Sequence, residues 1–262
     1  MTWPVFDSLP LDVIVTTRSG GVSSGDYASL NLGLHVGDSD DHVIENRSRA
    51  AAAIGTELSD LVFATQVHGR AVHVVTTVDM GRGAATLATA VQGVDAFVTA
   101  QAGPVLVMMV ADCVPAVLYD PLAHVLACVH TGWRGTTSRV LDAALSAMTD
   151  LGAQPTDVIA GIGPAANPAT YEVGLDVTAA VTETFGATGA ARLLGPGRGD
   201  RRFFDLPAAN YRILLEAGVP ARQIHVAPVT TSAGGPFYSD RATRPCGRFA
   251  ILGRLHSLTA AG

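Results

Sequence analysis

The sequence predicts a mixed α/β fold built around one integrated core. Three observations carry this. Three apolar runs of strand length, VLVMMVA, AVLYD and HVLACVH, follow one another in the middle of the chain. Segments of helical periodicity alternate with strand-like runs on either side of them. No long linker, charge block or repeat of fixed period divides the 262 residues. Chains that alternate strands and helices in this way pack helices over the faces of sheets.

The elements follow in order. Residues 11–18 (LDVIVTTR) read as a strand entering a Gly/Ser-rich turn. Residues 38–55 read as a helix with an Asp/Ser cap at its start and Gly55 at its end. LVFATQVH and AVHVVT are two strand-like runs around Gly69, and VDAFVT is a third. The unbroken apolarity of VLVMMVA predicts a strand buried on both faces. Residues 136–152 read as one helix, with Val140, Leu141, Ala144, Leu145, Met148 and Leu151 as its apolar stripe and Gly152 as its stop. VIAGIG is a strand running into a turn. GLDVTAAVTETFG and DLPAANYRILLEAG are two more helices, the second with Asp205 as N-cap. The Gly/Ala-rich stretches 81–90 and 186–199 read as surface loops. QIHVAPV and RFAILGRL supply the last strands.

Composition narrows the function. Apolar residues make up 48% and charged residues 15%, enough for a sizeable core. The net charge of −6 argues against general nucleic-acid binding, which needs a basic footprint. Three widely spread cysteines make a disulfide framework improbable and fit a reducing compartment. The first residues lack a basic region followed by an apolar stretch, so no signal peptide is expected. The longest apolar stretch contains Asp112 and Pro115 and is no membrane span. The expectation is a soluble cytoplasmic protein whose charge still leaves room for a small anionic substrate, since a few local Arg residues suffice to hold one. Nothing in the sequence reads out its oligomeric state.

The chemistry concentrates in three soft-metal ligand residues beside Gly or Pro at the ends of apolar runs. They are His68 in TQVHG, Cys113 in VADCVP and His130 in VHTGWRG. Two imidazoles and a thiolate suit zinc and leave its fourth position for water, the mark of a catalytic site. Cys128, two residues before His130, shares its strand face and competes as the thiolate. Cys246, in a Pro/Gly/Arg loop, reads as an exposed bystander. Cys113 beside His130 also allows a metal-free nucleophile–base dyad.

Other residues are candidates around that centre. Arg47 falls inside the apolar stripe of its helix, and an inward-facing Arg needs an anion: an internal carboxylate or a substrate phosphate. Arg134 sits between two glycines at a strand-to-helix turn and is a second anion candidate. Asp112, next to Cys113, is placed either to relay a proton or to accept backbone hydrogen bonds in its turn. Asn31 in SLNLGLHVGD, the GIGP turn, and FYSDRA with Asp240 and Arg241 are candidate lining segments.

Taken together, TTRSGGVS, SLNLGLHVGD, ENRSR, QVHG, VDAFVT, VADCVPAVLYDP, VHTGWRG, GIGPAANPATYEVG, FDLPAANYRILLEAGV and GRFAILGRL resemble the YfiH-type family, also labelled laccase-domain or polyphenol-oxidase proteins. The motifs occur in the same order across nearly the whole chain, so 1–262 is expected to be a single domain. The resemblance implies a layered α/β/β/α sandwich. It implies a zinc site formed by His68, Cys113 and His130, and so favours Cys113 over Cys128. It implies purine nucleoside phosphorylase activity on adenosine, inosine, guanosine or methylthioadenosine with phosphate, with adenosine deaminase activity in some members. It also implies an alternative, a peptidoglycan-editing hydrolase that removes serine from a cell-wall precursor.

The polyphenol-oxidase label implies copper, which the residues disfavour. A multicopper oxidase draws on about ten His, typically with His-X-His pairs, because imidazole is the natural ligand for copper. This chain has eight His, none separated by one residue. Three departures from the family pattern leave the three ligands intact: Ala165 stands where many relatives carry Cys after GIGP, the segment Val229–Ser232 lacks the Cys many carry near it, and Tyr238-Ser239-Asp240-Arg241 stands where they have a Tyr-Arg-Arg-like stretch. The leading expectation is therefore a zinc-dependent phosphorylase with Asp112, Cys113 and His130 at the chemistry and Asn31, Arg47 and Arg134 around the substrate.

Overall fold

A computed structural model describes residues 1–258. The chain opens with β1 (Leu11–Val15), α1 (Asp40–Ala52), β2 (Leu61–Thr65) and β3 (Val72–Val74). It continues through β4 (Val91–Gln92), β5 (Ala96–Thr99), β6 (Val105–Val110), β7 (Val114–Asp120) and β8 (Val125–Thr131). Next come α2 (Trp133–Thr137), α3 (Val140–Asp150), β9 (Ile159–Ile162), α4 (Leu175–Leu193) and α5 (Leu206–Glu216). The strands β10 (Ile224–Val226) and β11 (Phe249–Leu255) close the two main sheets.

One sheet has five strands in the order β1-β11-β6-β2-β4, and the other has six in the order β10-β9-β7-β8-β5-β3. Alternation along the strands sends side chains to both faces. Phe249 and Ile251 of β11 and Leu106 and Met108 of β6 meet Val117, Tyr119, Leu126 and Cys128 between the sheets. The outer face of the larger sheet, with Ala116, Leu118, Ala127 and Val129, packs against Leu141, Val181, Ile213 and Leu214 of α3, α4 and α5. The outer face of the smaller sheet, with Val105, Val107 and Leu252, packs against Ala50, Ala51 and Ile54 beside α1. The result is the expected α/β/β/α sandwich. Strands β6, β7 and β8 are buried on both faces, as continuous apolarity requires.

Two helices differ from the sequence expectation. The helix expected from 136 begins at Val140, because Arg139 is left-handed (φ 62°) and separates α3 from α2. The stretch expected as a loop from 186 is helical to Leu193. Gly186 kinks α4 instead of ending it (φ 67°), and Ala190 and Leu193 beyond it are buried. Ala-rich sequence resumes helix readily after such a kink.

The topology creates one special edge. Chain passes from the smaller sheet to the larger between β2 and β3, between β4 and β5 and again between β6 and β7. His68 lies on the first of these crossings and Cys113 on the third. The β7–β8 register pairs Pro115 with His130, which brings the end of β8 to the same place.

Candidate metal centre and cleft

The ligand atoms of His68, Cys113 and His130 all lie within 4.8 Å of one another. The two imidazoles meet edge to face, with ring centroids 4.6 Å apart. His68 is exposed, Cys113 half-buried and His130 buried. His68 adopts a left-handed backbone (φ 60°), which turns the chain sharply after β2. Gly132 leaves room for the group. A Cβ there would stand 2.9 Å from both Cys113 Sγ and His68 Cδ2.

The electrostatics favour the thiolate of the donor set. Burial alone would raise the Cys113 thiol, but the neighbouring His130 and His68 outweigh it and bring the pKa down to about 6. Burial opposes protonation of His130, yet Cys113 and Asp95 push its pKa up. The thiolate form that zinc requires is therefore favoured by the surroundings.

Asp95 is the functional residue that the sequence reading passed over. It is fully buried at the end of the turn into β5. His130 donates its Nδ1–H to Asp95 Oδ1 at 2.8 Å. The backbone N–H groups of His68 and Gly69 donate to the same carboxylate at 2.9 and 2.6 Å. Burial works against this charge, but the bonds from His130 and the backbone hold its pKa below the ordinary carboxylate value. The one signal in sequence is an acid opening an otherwise apolar strand, since a buried carboxylate must find donors.

The two competing cysteines lie elsewhere. Cys128 shares the strand face of His130, as its spacing requires, but sits deeper, fully buried between the sheets against Gly253. Burial pushes its thiol up. Cys246 is 5% exposed, not an exposed bystander, because the following Gly247 and Arg248 fold its loop onto Tyr238.

The trio opens into a cleft of about 640 Å³, within the ~300–1,000 Å³ usual for small-molecule sites. His35, Gln66, Leu87, Met109, Trp133 and Tyr171 line it, and Asp240 lines it together with Arg241, Arg244 and Arg248. Arg241 lies over the Tyr171 ring at 4.8 Å. Asp240 pairs with Arg244 at 2.6 Å and Arg248 at 3.1 Å, leaving Arg241 without a carboxylate partner among the described residues.

The other expected site residues do not all reach the cleft. Asp112 lines the cleft (φ 78°), but both carboxylate oxygens are engaged, one by the Thr231 hydroxyl and one by the Arg241 amide at 2.7 Å. Arg134 is exposed and stacks on Trp133 at 4.2 Å, and it does not line the cleft. Asn31 is fully buried and does not reach the cleft either. Its Oδ1 accepts from the Arg248 amide at 2.8 Å, so it acts on a lining residue from behind. Arg47 is fully buried too, and among the described residues neither a carboxylate nor the cleft receives it. Its Nε donates to Leu32 O at 2.8 Å, and Nη1 donates to Gly83 O and Ala84 O at 2.6 and 2.9 Å. Phe63 stacks beneath it at 3.7 Å. Burial draws its pKa down to about 9, which still leaves it charged at neutral pH.

A layered sandwich whose sheet-crossing turns bring one His and one Cys to a second His at a strand end defines a class, and comparison with known proteins identifies it. Residues 12–255 match the family described as multi-copper polyphenol oxidoreductase laccase. The protein named purine nucleoside phosphorylase YlmD of Geobacillus stearothermophilus is 38% identical over 251 residues, covering 94% of this chain and 90% of that one. The protein named purine nucleoside phosphorylase ORF3 of Streptomyces griseus is 38% identical, covering 90% of each chain. The crystal structure of the hypothetical protein YfiH of Bacillus licheniformis superposes with a TM-score of 0.90 at 32% identity, covering 94% of this chain and 92% of that one. YlmD of G. stearothermophilus gives 0.87 at 34% identity, covering 97% and 94%. The chain belongs to this laccase-domain, YfiH-type family. No helix among the described residues is long and apolar enough to cross a membrane.

Proposed function

We propose that this protein is a zinc-dependent purine nucleoside phosphorylase. The observation that carries the reading is the joint lining of one cleft by a His-Cys-His group and by an arginine without a carboxylate partner among the described residues. Relatives named purine nucleoside phosphorylase at 38% identity support it. The donor set suits a single zinc ion, with three protein ligands and an open position. The four-copper chemistry of a laccase needs several such groups, and among the described residues this is the one cluster.

Phosphorolysis breaks the bond between the sugar C1′ and the purine ring nitrogen and forms a bond from a phosphate oxygen to C1′. The bonding pair leaves with the purine, and the proton it takes up balances the one that the attacking phosphate gives up on forming the ester. Arg241 is the anion holder in this reading, since its guanidinium fork matches phosphate oxygens. Asp112 accepts from the Arg241 amide and so positions that arginine's backbone. Trp133 and Tyr171 give the cleft wall aromatic surface where the base would lie. Asp95 fixes His130 so that its Nε2 faces away from the carboxylate. Zinc on His68, Cys113 and His130 would supply a Lewis acid for charge that develops on the substrate.

The test is product analysis of adenosine and inosine with zinc-loaded protein, with and without phosphate, using Cys113→Ala as the blank. Free base and ribose 1-phosphate should appear only with phosphate and intact protein. Inosine from adenosine identifies deamination as an added activity. No turnover of any nucleoside sinks the reading and moves the search to amide cleavage in a cell-wall precursor.

A further inference from the structure

Two motifs remain outside this account, SLNLGLHVGD and ENRSR, and the structure joins them. Asn46 and Arg47 lie side by side on the buried face of α1, each fully buried. Asn46 donates to Ser29 O and Asn31 O at 3.1 and 2.9 Å and accepts from the Val22 amide at 2.8 Å. Arg47 takes the next residue of the same segment, Leu32, and three residues further on His35 lines the cleft. Its Nη1 grips Gly83 and Ala84 of a second loop, whose Leu87 also lines the cleft. Its Nη2 lies 3.9 Å from the sulfur of Met109, a lining residue at the end of β6. Met109 is bound through its main chain to the Gln66 side chain, by bonds of 2.8 and 2.9 Å.

A buried guanidinium without a carboxylate is costly, and a core of apolar residues at that position is commonly as stable or more so. What such a group supplies here is the arrangement it holds rather than stability. Here the donors run to main-chain carbonyls of two irregular segments that have no strand pairing between them in the sheets. Loops of this kind are the mobile end of a protein unless tied down.

We propose that Arg47 is a positioning residue for the nucleoside site. It fastens segments 32–35 and 83–87 to the end of β6 and so fixes the cleft surface formed by His35, Leu87 and Met109. The inference rests on the phosphorylase reading for its substrate but not for its geometry, and the experiment separates the two.

Arg47→Met and Arg47→Lys are compared with Leu214→Ala, a substitution in the helix-covered core away from the cleft. Amide hydrogen exchange is followed in all three. Arg47→Met should speed exchange selectively in residues 32–36 and 83–88 and leave β7 and β8 protected as in the parent. The KM for inosine should rise about tenfold or more with kcat changed less, and Arg47→Lys should recover part of both effects. Leu214→Ala should lower Tm without either effect. Uniform loss of protection in Arg47→Met, or kinetic changes matched by Leu214→Ala at equal Tm loss, overturns the inference. If Arg47→Met fails to fold, Arg47→Lys carries the same exchange test, because an ammonium cannot span both segments with a planar fork. If the parent turns over no nucleoside, the phosphorylase reading fails, while hydrogen exchange still decides the role of Arg47.

Discussion

His130 donates its Nδ1–H to Asp95 Oδ1 at 2.8 Å, and the same buried carboxylate receives the backbone of His68 and Gly69. A carboxylate only accepts, so the bond fixes the imidazole tautomer and leaves Nε2 for a metal. One acid thus orients two of the three metal-ligand candidates.

Asp95→Asn keeps the shape and removes the charge. Partners of this kind are worth ten- to a hundredfold in metal affinity. Competition with a chromophoric chelator should show zinc affinity lower by about that factor. Unchanged affinity would leave Asp95 as a fold residue alone.

The two cysteines on the site's side of the larger sheet make opposite predictions. Cys113→Ala should abolish stoichiometric zinc binding with little change in the metal-free Tm. Cys128→Ala should keep zinc and cost about 1 kcal/mol from the inter-sheet core. Metal analysis of both variants after dialysis reads this out, and the reverse pattern overturns the ligand assignment.

Gly132 provides a steric test. A methyl group there would press on Cys113 Sγ and His68 Cδ2 at 2.9 Å. Gly132→Ala should fold, with roughly 1–3 kcal/mol of overpacking strain, and lose zinc affinity. Full zinc binding by this variant would mean that the three side chains meet less closely than described.

Arg241→Ala should raise the KM for phosphate about 10- to 100-fold, the range of a lost charge-assisted pair. Arg241→Lys should recover only part, because the fork is lost. The KM for nucleoside should move less. Equal effects on both substrates would place Arg241 outside the phosphate site.

Acid stability follows from a carboxylate outside the metal-ligand trio. Asp79 is 5% exposed. Burial works against its charge, but the Thr76 amide, Arg82 and His73 hold its pKa below the ordinary value. A depressed carboxylate stabilises the fold above its unfolded pKa of ~3.9 and loses that contribution as pH falls through the folded value. In chelator, Asp79→Asn should lower Tm at pH 7 and flatten its fall below about pH 4. Parallel curves for the two proteins would contradict the linkage.

Much of this was legible in the sequence, for physical reasons that also mark its limits. His68, Cys113 and His130 stood out because ligand-type residues interrupted apolar runs beside Gly or Pro. The inward face of Arg47 was legible from helical periodicity. Its partners were not, since main-chain carbonyls leave no trace in residue type. Asp95 resembled any acid at the start of a strand, and only the fold reveals that it is buried. The left-handed turn at Arg139 carries no glycine to announce it, and Gly186 announced a stop that α4 passes through. The cleft arginines come from a late segment whose approach to the metal centre depends on β11 joining the smaller sheet.

The most direct test of the account is turnover of adenosine by the zinc-loaded protein in ¹⁸O-water with unlabelled phosphate, read by mass spectrometry. Phosphorolysis predicts adenine and ribose 1-phosphate, with no label on either. Free ribose carrying ¹⁸O, labelled inosine as the sole product, or no product at all would contradict it.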